Sequence, residues 1–350
     1  MPPAARRRRR DTDIARPDTP RRDTPGETVS ILVTGGAGYI GGHIVRELTR
    51  AGADAAVVDD LSHGRAARVE GTPLLRLDLA DGAGVDALAR FMAERGVTAV
   101  VHMSALKRAD ESTVQPARYY QQNVGQLATV LLAMEQAGVH ELVFSSSAAV
   151  YGQTGAEPVP ETHPTEPINP YGATKLAGED LVRWAARAGQ VRAVALRYFN
   201  VAGTAAPELA DVETVNLVSI LVDRVGRGLR PVVLGDEHPT PDGTCVRDYV
   251  HVADLARAHV RALALLGEPG GPDEGFEALN VGTGTGTSVL EMVRALGAVL
   301  GRELPYEVAP PRPGDPASVV ASVDRIAERA GWRAELTVED MLRSVAEGVA

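Results

Sequence analysis

Three glycines at a fixed spacing constrain the fold of this chain more than any other feature. Gly35, Gly38 and Gly41 follow an apolar run at 31–33 and precede a helical pattern that ends near Leu48. Glycines at this spacing let the backbone turn tightly and approach a pyrophosphate, while the following helix offers free N–H groups and a partial positive charge. A strand, a glycine-rich turn and a helix in this order predict a dinucleotide-binding unit.

Continuous apolar runs alternate with amphipathic helical patterns as far as about residue 200. This alternation is typical of a parallel sheet covered by helices on both faces. We therefore predict an α/β fold, a Rossmann-type doubly wound parallel sheet with a smaller C-terminal substrate-binding domain. The runs that predict the further strands are 55–58, 74–77, 99–102, 142–145 and 194–198.

Carboxylates end the second and third predicted strands. Asp59, with Asp60 beside it, can accept both hydroxyls of the adenosine ribose and repels a 2′-phosphate, which favours NAD over NADP. The alternative for this pair is a solvated strand end. Asp78 either reaches the adenine amino group or caps the helix predicted at 80–90.

The chain divides into three segments of different pattern. Residues 1–28 are rich in Arg, Pro, Asp and Thr and almost free of large apolar side chains, which predicts a disordered extension. Residues 29–200 form the predicted NAD-binding Rossmann domain. Residues 201–350 form mainly the substrate domain, partly interleaved with the first. The late strand pattern at 278–281 fits either domain.

Charge and cysteine content limit the partners and the compartment. The net charge of −10 argues against a general nucleic-acid-binding protein, because such a surface needs clustered cations. No apolar stretch approaches the roughly 18 residues of a membrane span, and the N-terminus lacks the apolar core of a signal peptide. The single cysteine, Cys245, cannot form an intramolecular disulfide. We therefore expect a cytoplasmic protein with neither nucleic acid nor membrane as partner.

The arginine run at 6–10 is a local exception to the acidic composition. A basic arm that binds RNA or anionic lipid is one interpretation of it. A misplaced start codon is another.

A tyrosine and a lysine, Tyr171 and Lys175, lie four residues apart at the start of a predicted helix. Four residues make about one turn, so both side chains emerge on one face. A phenol is a poor base at neutral pH, but a nearby ammonium and an oxidised nicotinamide both favour phenolate and lower its pKa. The serines at 145–147 follow an apolar run and so lie at the carboxyl end of a strand, where ligands of such sheets bind.

These motifs closely resemble the UDP-glucose 4-epimerases of the extended short-chain dehydrogenase/reductase family, over about residues 31–332. Several motifs are shared with the whole extended family, and the segments that include Arg247 and Arg312 narrow the match to its nucleotide-sugar members. The motifs read TGGAGYIG at 34–41, FSSSAAVYG at 144–152, YGATK at 171–175, LRYFN at 196–200, DGTCVRDY at 242–249 and RPGD at 312–315.

The resemblance implies an NAD-dependent exchange of UDP-galactose and UDP-glucose through a transient 4-keto sugar, with NAD tightly bound. Tyr171 would take the proton of the sugar 4-hydroxyl as its C4 hydride moves to NAD, Ser147 would hydrogen-bond that hydroxyl, and Lys175 would hold the nicotinamide ribose. Together, the motifs and the resemblance assign the cofactor to Gly35, Gly38, Tyr39, Ile40, Gly41, Asp59, Asp78, Lys107, Asn123, Ser145, Tyr171, Lys175 and Tyr198. They assign the UDP-sugar to Ser147, Tyr171, Asn200, Asn216, Arg247, Arg312, Asp315 and Val319.

The chemistry of the two arginines also favours diphosphate binding, independently of the resemblance. A diphosphate brings about two negative charges, and guanidinium groups match phosphate oxygens in a bidentate way. Arg247 and Arg312 lie in two loops rich in Gly and Pro. The alternative for each is a surface ion pair.

Three positions depart from the resembling family. Leu234 stands where many members carry an aromatic ring that stacks on uracil, so apolar contact remains without stacking. Ala149 replaces a common threonine, and Ala105 a usual glycine. These departures bear on nucleotide and substrate choice more than on the chemistry.

Two other functions of the same fold are alternatives to an epimerase. A dehydratase or sugar-acid decarboxylase needs an acid just after the catalytic serine or threonine, and here Ala148 and Ala149 follow. A non-catalytic NAD-sensing or scaffold protein is the alternative from another class, although such proteins usually lose the tyrosine and lysine pair.

The resemblance also implies a homodimer, formed through a bundle that includes the helix starting at Tyr171. Leu176, Leu181, Val182 and Trp184 offer apolar surface beyond what one stripe on the sheet needs.

Val319 is the position of interest for the range of sugars. In the resembling family, the fourth residue after the RPGD acid borders the sugar pocket, and a tyrosine there leaves no room for an N-acetyl group. Valine at this position predicts a wider, apolar pocket that accepts UDP-N-acetylhexosamines as well. The alternative is that Val319 simply packs in a strand.

Overall fold

The computed structural model of the protein describes residues 30–268, 271–312 and 314–346, so the predicted extension at 1–28 lies outside the described residues. Thirteen strands are present in this part of the chain. They are β1 (Ser30–Thr34), β2 (Asp54–Asp59), β3 (Leu74–Arg76), β4 (Val97–His102), β5 (Glu141–Ser147), β6 (Arg192–Tyr198), β7 (Asn200–Ala202), β8 (Val232–Leu234), β9 (Val246–His251), β10 (Phe276–Val281), β11 (Gly286–Ser288), β12 (Glu307–Ala309) and β13 (Ser318–Val319).

Eleven α-helices accompany these strands within the described ranges. They are α1 (Tyr39–Arg50), α2 (Val85–Glu94), α3 (Ala109–Val114), α4 (Pro116–Tyr120), α5 (Gln126–Ala137), α6 (Pro170–Arg187), α7 (Leu217–Gly226), α8 (Val252–Gly267), α9 (Val289–Val299), α10 (Asp324–Ala330) and α11 (Val338–Ala346). A one-turn π-helix at Gln121–Gly125 joins α4 to α5. In the described residues, no helix is both long and apolar enough to cross a membrane.

A seven-stranded parallel sheet in the order β3-β2-β1-β4-β5-β6-β10 confirms the predicted α/β fold. The order of strands reverses between β1 and β4, which leaves a crevice at their carboxyl ends. In register, Thr34 of β1 lies beside both Val58 of β2 and His102 of β4. The turn that follows Thr34 therefore opens into this crevice.

Both faces of the sheet are buried, which explains why the strands read as continuous apolar runs. Val33, Val57 and Val101 belong to one core cluster, which α1 and α8 cover with Ile44 and Leu255. The alternate residues of the same strands face a second cluster, which is closed by α2, α5 and α6. Helical periodicity in the sequence predicted α1, α2 and α5 because each helix buries only one face.

The chain after β6 leaves the large sheet and then returns to it. β7, β9, β11 and β13 form a second sheet, and β8 pairs with β12. Helix α8 then packs against α1, and β10 pairs in parallel with β6, Phe276 beside Ala193. The late strand pattern at 278–281, which fits either domain by sequence, thus belongs to the large sheet.

Helix α6 buries more of its apolar side chains than the sequence argument for a dimer assumed. Val182 is fully buried in the core, and Leu176 and Leu181 pack partly against core clusters. Of the four apolar residues expected at the dimer surface, Trp184 alone is exposed to solvent, by 66%. The other three residues face inward because the long helix packs on two core clusters. It therefore needs a wider apolar stripe than a helix that covers one cluster.

Candidate active site

The glycine-rich turn requires glycine for two different reasons. Gly35 adopts a φ of +64°, and a side chain there would meet the backbone of Ser104 at 2.9 Å. A Cβ at Gly41 would overlap the carbonyl oxygen of Gly35, so α1 packs directly on the turn. Gly38 immediately precedes α1, and among the described residues no side chain caps this helix. The N-terminal N–H groups of α1 are therefore available to an anion.

Two neighbours of the turn, Tyr39 and Ile40, take structural positions in the first turn of α1. The hydroxyl of Tyr39 donates to the carbonyl oxygen of Gly203 at 2.5 Å, and its ring is buried. Ile40 is half-buried and packs against the core cluster that contains Val33 and Ile44. Tyr39 thus ties the turn to the segment that follows β7.

Asp59 ends β2 directly beside this turn. Its carboxylate accepts hydrogen bonds from the N–H groups of Ala37 at 3.0 Å and Leu61 at 2.8 Å. Burial raises the pKa of Asp59, and the two backbone donors oppose that shift. Asp78 is exposed and accepts from the N–H of Ala80 at 2.9 Å, so its contact in the protein is a local turn. Of the two carboxylates, only Asp59 lies against the glycine-rich turn.

Tyr171 lies in the first turn of α6, where the sequence predicted it. Asn169 caps this helix by accepting from the N–H of Gly172 at 2.9 Å. A Cβ at Gly172 would overlap the carbonyl oxygen of Ala149, so the helix start is pressed against the segment that follows Ser147. The hydroxyl of Ser147 lies close enough to Tyr171 to lower the pKa of its phenol. The structure therefore brings the predicted base and the predicted serine together.

Burial has the largest effect on the pKa of Tyr171 among the protein's own groups. It raises this pKa, because a phenolate is costly to remove from water, and the nearby Ser147 hydroxyl lowers it by less. The predicted shift of the phenol toward neutrality rests on two cations, the ammonium of Lys175 and an oxidised nicotinamide, and stays a prediction.

Lys175 is buried one turn farther along α6. Its ammonium donates to the carbonyl oxygen of Ser145 at 2.7 Å and lies 5.5 Å from the centre of the Phe144 ring. Burial lowers the pKa of Lys175 to about 7. A group with this pKa can carry or release a proton near neutral pH.

Asn123 and Tyr198 contact neighbours of the catalytic residues on α6 and β5. Asn123 accepts from the N–H of Leu106 at 2.8 Å and donates to the hydroxyl of Thr174 at 2.9 Å. It thereby joins the loop after β4 to α6. The hydroxyl of Tyr198 pairs with that of Ser145, and burial raises the pKa of this tyrosine.

Lys107 forms an ion pair with an acidic residue that carries no sequence motif. Its ammonium lies 2.9 Å from Glu213, a residue of the segment between β7 and α7. Nothing in the sequence pointed to Glu213, because an isolated acid in an irregular loop carries no motif. Two further residues that the sequence did not single out are Glu179 of α6 and Arg197 of β6, which are buried next to Ser146.

Three of the predicted substrate residues, Arg247, Arg312 and Asp315, lie in one region. Arg247 of β9 lies 3.8 Å from Asp315, and the N–H of Asp315 donates to the carbonyl oxygen of Arg312 at 3.3 Å. Arg247 is largely buried, whereas the Arg312 side chain is exposed. The prediction of a loop position is therefore wrong for Arg247, which lies in a strand because this segment pairs with β7, β11 and β13.

Asn200 and Asn216 lie on other elements. Asn200 is exposed at the start of β7, opposite Tyr249 of β9. Asn216 caps α7 by accepting from the N–H of Ser219 at 2.9 Å, and its amide donates to Asp211 at 3.3 Å. This asparagine is used by the helix cap, which leaves its amide group oriented toward the segment before α7.

Val319 lies in β13 and is paired in register with Arg247. Its side chain is half-buried and packs against the cluster that contains Val150 and Tyr151, residues that follow Ser147 closely. Val319 therefore packs in a strand, beside Arg247 and close to the segment that follows Ser147. The wider sugar pocket predicted at this position stays a prediction.

The described residues fit NAD on three observations. The turn at Gly35 and Gly41 leaves no space for a side chain, which suits a backbone approach to a pyrophosphate. Uncapped N–H groups of α1 provide the positive end of a helix. The carboxylate of Asp59 lies next to the turn, as binding of a ribose without a 2′-phosphate requires.

Comparison with known proteins agrees with this geometry. The model of the NAD dependent epimerase/dehydratase family matches residues 31–282. A UDP-glucose 4-epimerase of Azospirillum brasilense is 43% identical over 321 residues, 89% of this chain and 88% of the relative.

Two solved structures are similar over nearly the whole chain. A UDP-glucose-4-epimerase from Stenotrophomonas maltophila, crystallised with NAD and formylated UDP-arabinopyranose, has a TM-score of 0.85 at 38% identity and covers 92% of this chain and 98% of its own. The UDP-Glc/GlcNAc 4-epimerase from Campylobacter jejuni has a TM-score of 0.79 at 32% identity, with 92% and 99% covered.

Proposed function

The chain belongs to the NAD dependent epimerase/dehydratase family, and we propose that it acts as a UDP-glucose 4-epimerase, interconverting UDP-galactose and UDP-glucose. The observation that carries this proposal is the packing of the start of α6 on the segment after Ser147, which brings the side chains of Tyr171 and Ser147 together, with the buried ammonium of Lys175 one turn away. This set can remove and return one proton at a sugar hydroxyl.

NAD, when bound, supplies the acceptor and then the donor of the C4 hydride. Tyr171 takes the proton of the 4-hydroxyl, while Ser147 holds that oxygen through a hydrogen bond and Lys175 favours the phenolate by its charge. The same three side chains return the proton once the 4-keto sugar has presented its other face. Since the raised pKa of Tyr171 makes its phenolate costly, a nearby cation is needed for proton removal.

The 4-keto sugar must rotate to present its other face. This rotation requires that the protein hold the nucleotide end more firmly than the hexose. Arg247 and Arg312 bind the diphosphate in this proposal, with Asp315 orienting Arg247. Guanidinium groups suit phosphate oxygens because they form two parallel hydrogen bonds. Asn200 and Asn216 then contact the remaining UDP and sugar oxygens, and Leu234 provides apolar contact for uracil.

Each predicted cofactor residue is assigned to the part of NAD that its position suits. The turn at Gly35, Gly38 and Gly41 receives the pyrophosphate, and Asp59 receives the adenosine ribose. Lys107, Asn123 and Tyr198 border the nicotinamide half. Support comes from their positions: Lys107 lies in the loop after β4 and pairs with Glu213, Asn123 accepts from Leu106 of that loop, and Tyr198 at the end of β6 is bonded to Ser145 of β5.

A dehydratase of the same family is less well supported. Elimination of water needs an acid at the sugar, and the residues after Ser147 are Ala148 and Ala149. The next titratable group along the chain is Tyr151, a poor proton donor because it is buried, donates to Asn280 and has a pKa raised to about 12 by burial.

We further propose that Val319 lets the enzyme accept the N-acetylated pair of UDP-sugars. Valine is smaller than tyrosine and has no hydroxyl to satisfy, so an acetyl methyl can lie against it. The neighbouring Val150 and Tyr151 extend that apolar surface. A structurally similar protein of Campylobacter jejuni is a UDP-Glc/GlcNAc 4-epimerase.

The division at residue 200, the dimer and the compartment are also proposals. Trp184 on α6 and Leu132 on α5 are exposed by 66% and 52%, which supports a dimer through these two helices. Light scattering that gives only a mass of about 37 kDa, close to the 36.9 kDa of one chain, would contradict it. The lone Cys245, a buried free thiol, supports a cytoplasmic location.

The proposed activity is tested by incubating the purified protein with UDP-galactose and separating UDP-glucose by chromatography, without added reductant. We expect conversion in both directions to a common ratio of the two sugars. Matched Tyr171→Phe protein is expected to retain NAD and to convert neither sugar at a comparable rate. If wild-type protein gives no UDP-glucose, the proposed function is wrong.

A further inference from the structure

Three consecutive serines at the end of β5 face three different residues of α6. The carbonyl oxygen of Ser145 accepts from Lys175, and the hydroxyl of Ser147 lies close enough to Tyr171 to lower the pKa of its phenol. The hydroxyl of Ser146 donates to the carboxylate of Glu179 at 2.5 Å. The reaction uses the first and third of these contacts, while the middle one has no part in its chemistry.

Glu179 lies on the same face of α6 as the two catalytic residues. It follows Lys175 by one turn and Tyr171 by two, since four residues make about one turn. Its side chain is completely buried, with 0% exposure. A carboxylate removed from water to this extent must have its charge paired and its oxygens hydrogen-bonded.

Arg197 supplies this pairing from the neighbouring strand. Its guanidinium donates through Nη2 to one carboxylate oxygen of Glu179 at 2.6 Å and through Nε to the other at 2.8 Å. Arg197 of β6 is also the register partner of Ser146 of β5. One carboxylate therefore holds α6 against the ends of two adjacent strands at the same level of the sheet.

The same arginine continues the buried polar chain toward the substrate side. Its Nη1 donates to the hydroxyl of Tyr151 at 3.1 Å, and that hydroxyl donates to Asn280 at 2.6 Å. The amide of Asn280 then donates to Val159 and, at 3.3 Å, to Ser322. The chain of contacts ends three residues after Val319, on the segment that continues β13.

A structural role in stability alone does not account for this arrangement. Replacing a buried ion pair by apolar side chains of similar volume is often neutral or stabilising, because the desolvation of both charges is avoided. What apolar packing cannot provide is a directional link. Hydrogen bonds of fixed length between Ser146, Glu179 and Arg197 set both the distance and the register between β5 and α6.

We infer that Glu179 and Arg197 form a positioning pair that fixes Ser147 against Tyr171 through Ser146. The pair touches neither sugar nor cofactor in this inference, so no proton or hydride passes through it. Misplacement of reacting groups by about 1 Å can cost roughly 100-fold in rate. The inference rests on the proposed function for its effect on turnover, but its geometric content can be measured separately.

Two substitutions of different severity test the pair. Ser146→Ala removes only the link from strand to helix and leaves the buried charges matched. Glu179→Gln keeps the shape of the side chain but removes the charge that Arg197 needs. Asp180→Asn is the control, because Asp180 is the next residue of α6, is exposed and pairs with Arg183 at the surface.

For the kinetic readout, kcat per NAD-loaded site is compared with KM for UDP-galactose. We expect kcat to fall at least about fivefold for Ser146→Ala and further for Glu179→Gln, with KM and NAD content nearly unchanged. The control keeps wild-type values. A folded Ser146→Ala protein with wild-type kcat would overturn the inference, as would a loss of activity that merely follows a loss of bound NAD.

The second readout does not depend on turnover. In protein labelled with ¹³C at the tyrosine ring, the resonance of Tyr171 is assigned by its absence from Tyr171→Phe and titrated with pH. Moving the Ser147 hydroxyl away from Tyr171 removes an effect that lowers the pKa of this tyrosine, so Ser146→Ala should raise that pKa. An unchanged titration overturns the positioning role even if wild-type protein proves inactive with UDP-galactose, a result that would refute only the proposed function.

Discussion

The ammonium of Lys107 lies 2.9 Å from the carboxylate of Glu213, and Nδ1 of His63 lies 3.2 Å from the same carboxylate. The three side chains come from the loops after β4, before α7 and after β2. Arg68 adds a hydrogen bond of 2.7 Å to the carbonyl oxygen of Ala210 in the same segment. The segment before α7 therefore ties together two loops that flank the glycine-rich turn.

This relationship predicts that Glu213→Ala loosens the cofactor. Lys107 is 47% exposed and Glu213 33%, so the ion pair is screened and is worth about 0.2–1 kcal/mol. We expect NAD to dissociate up to about fivefold faster, with an effect that shrinks at high salt. Release of NAD after dilution measures the rate. Glu339→Gln, which breaks an exposed pair with Arg343 on α11, serves as control, and equal rates for both variants would contradict the prediction.

Gly172→Ala should damage the site through packing alone. A methyl group there overlaps the carbonyl oxygen of Ala149, so the start of α6 must move away from the segment that holds Ser147. Overpacking of this kind costs about 1–3 kcal/mol, and we expect both a lower free energy of unfolding and a lower kcat. In Gly125→Ala the added methyl meets nothing within 4 Å. Equal stability and turnover in the two variants would show that the helix start tolerates the displacement.

Val319→Tyr should discriminate between the two pairs of sugars. The wild-type enzyme is expected to convert both the unacetylated and the N-acetylated UDP-sugars, because valine leaves room for the acetyl group. Tyrosine fills that room, so the variant should lose the N-acetylated reaction selectively. Steady-state assays with both pairs decide the matter. Wild-type protein inert toward the acetylated sugars, or a variant that loses both activities equally, would remove Val319 from this role.

The free energy of unfolding should fall as the pH drops below about 6.5, the ordinary pKa of histidine. Burial lowers the pKa of His43, His251 and His259 to about 4 and that of His102 to about 3. Between these values and 6.5 the unfolded chain binds protons that the folded chain does not, so acid favours unfolding. Each histidine contributes at most about 1.4 kcal/mol per pH unit.

Urea unfolding at pH 7.5 and 5.5 measures this dependence. His259 is the residue to replace, because its Nε2 is buried with no hydrogen-bond partner among the residues that the structure describes. His259→Leu is expected to reduce the difference between the two pH values. His140→Asn, at an exposed position, should leave it unchanged. A wild-type stability that does not vary between pH 7.5 and 5.5 would contradict the assignment of neutral buried histidines.

Much of the fold was predictable because its strands are buried on both faces. Runs such as 99–102 admit few alternatives once helices flank them, and Gly35 and Gly41 mark a turn that only glycine can make. Strand β10 was not predictable to the same degree. Its membership of the large sheet depends on pairing with β6, about 80 residues earlier, and its local pattern suits either sheet.

The site was predictable where a motif carries the chemistry, and not where contacts join distant loops. Tyr171 and Lys175 share a helix face, so their spacing alone brings them together. Glu213 and Lys107 meet only after the chain folds, and neither carries a local signal. Glu179 was missed for a different reason, since a single acid in an amphipathic helix usually faces solvent.

Isotope retention at C4 of the sugar tests the central claim most directly. UDP-galactose labelled with deuterium at C4 and with ¹³C in the hexose is mixed with unlabelled substrate and converted in ordinary water. We predict that deuterium and ¹³C stay in the same UDP-glucose molecules, because the hydride returns to the sugar that gave it, and that Tyr171→Phe slows this conversion by about 10² to 10⁴ with NAD still bound. Deuterium lost to water or found in unlabelled hexose, or a Tyr171→Phe variant with wild-type turnover, would contradict the account.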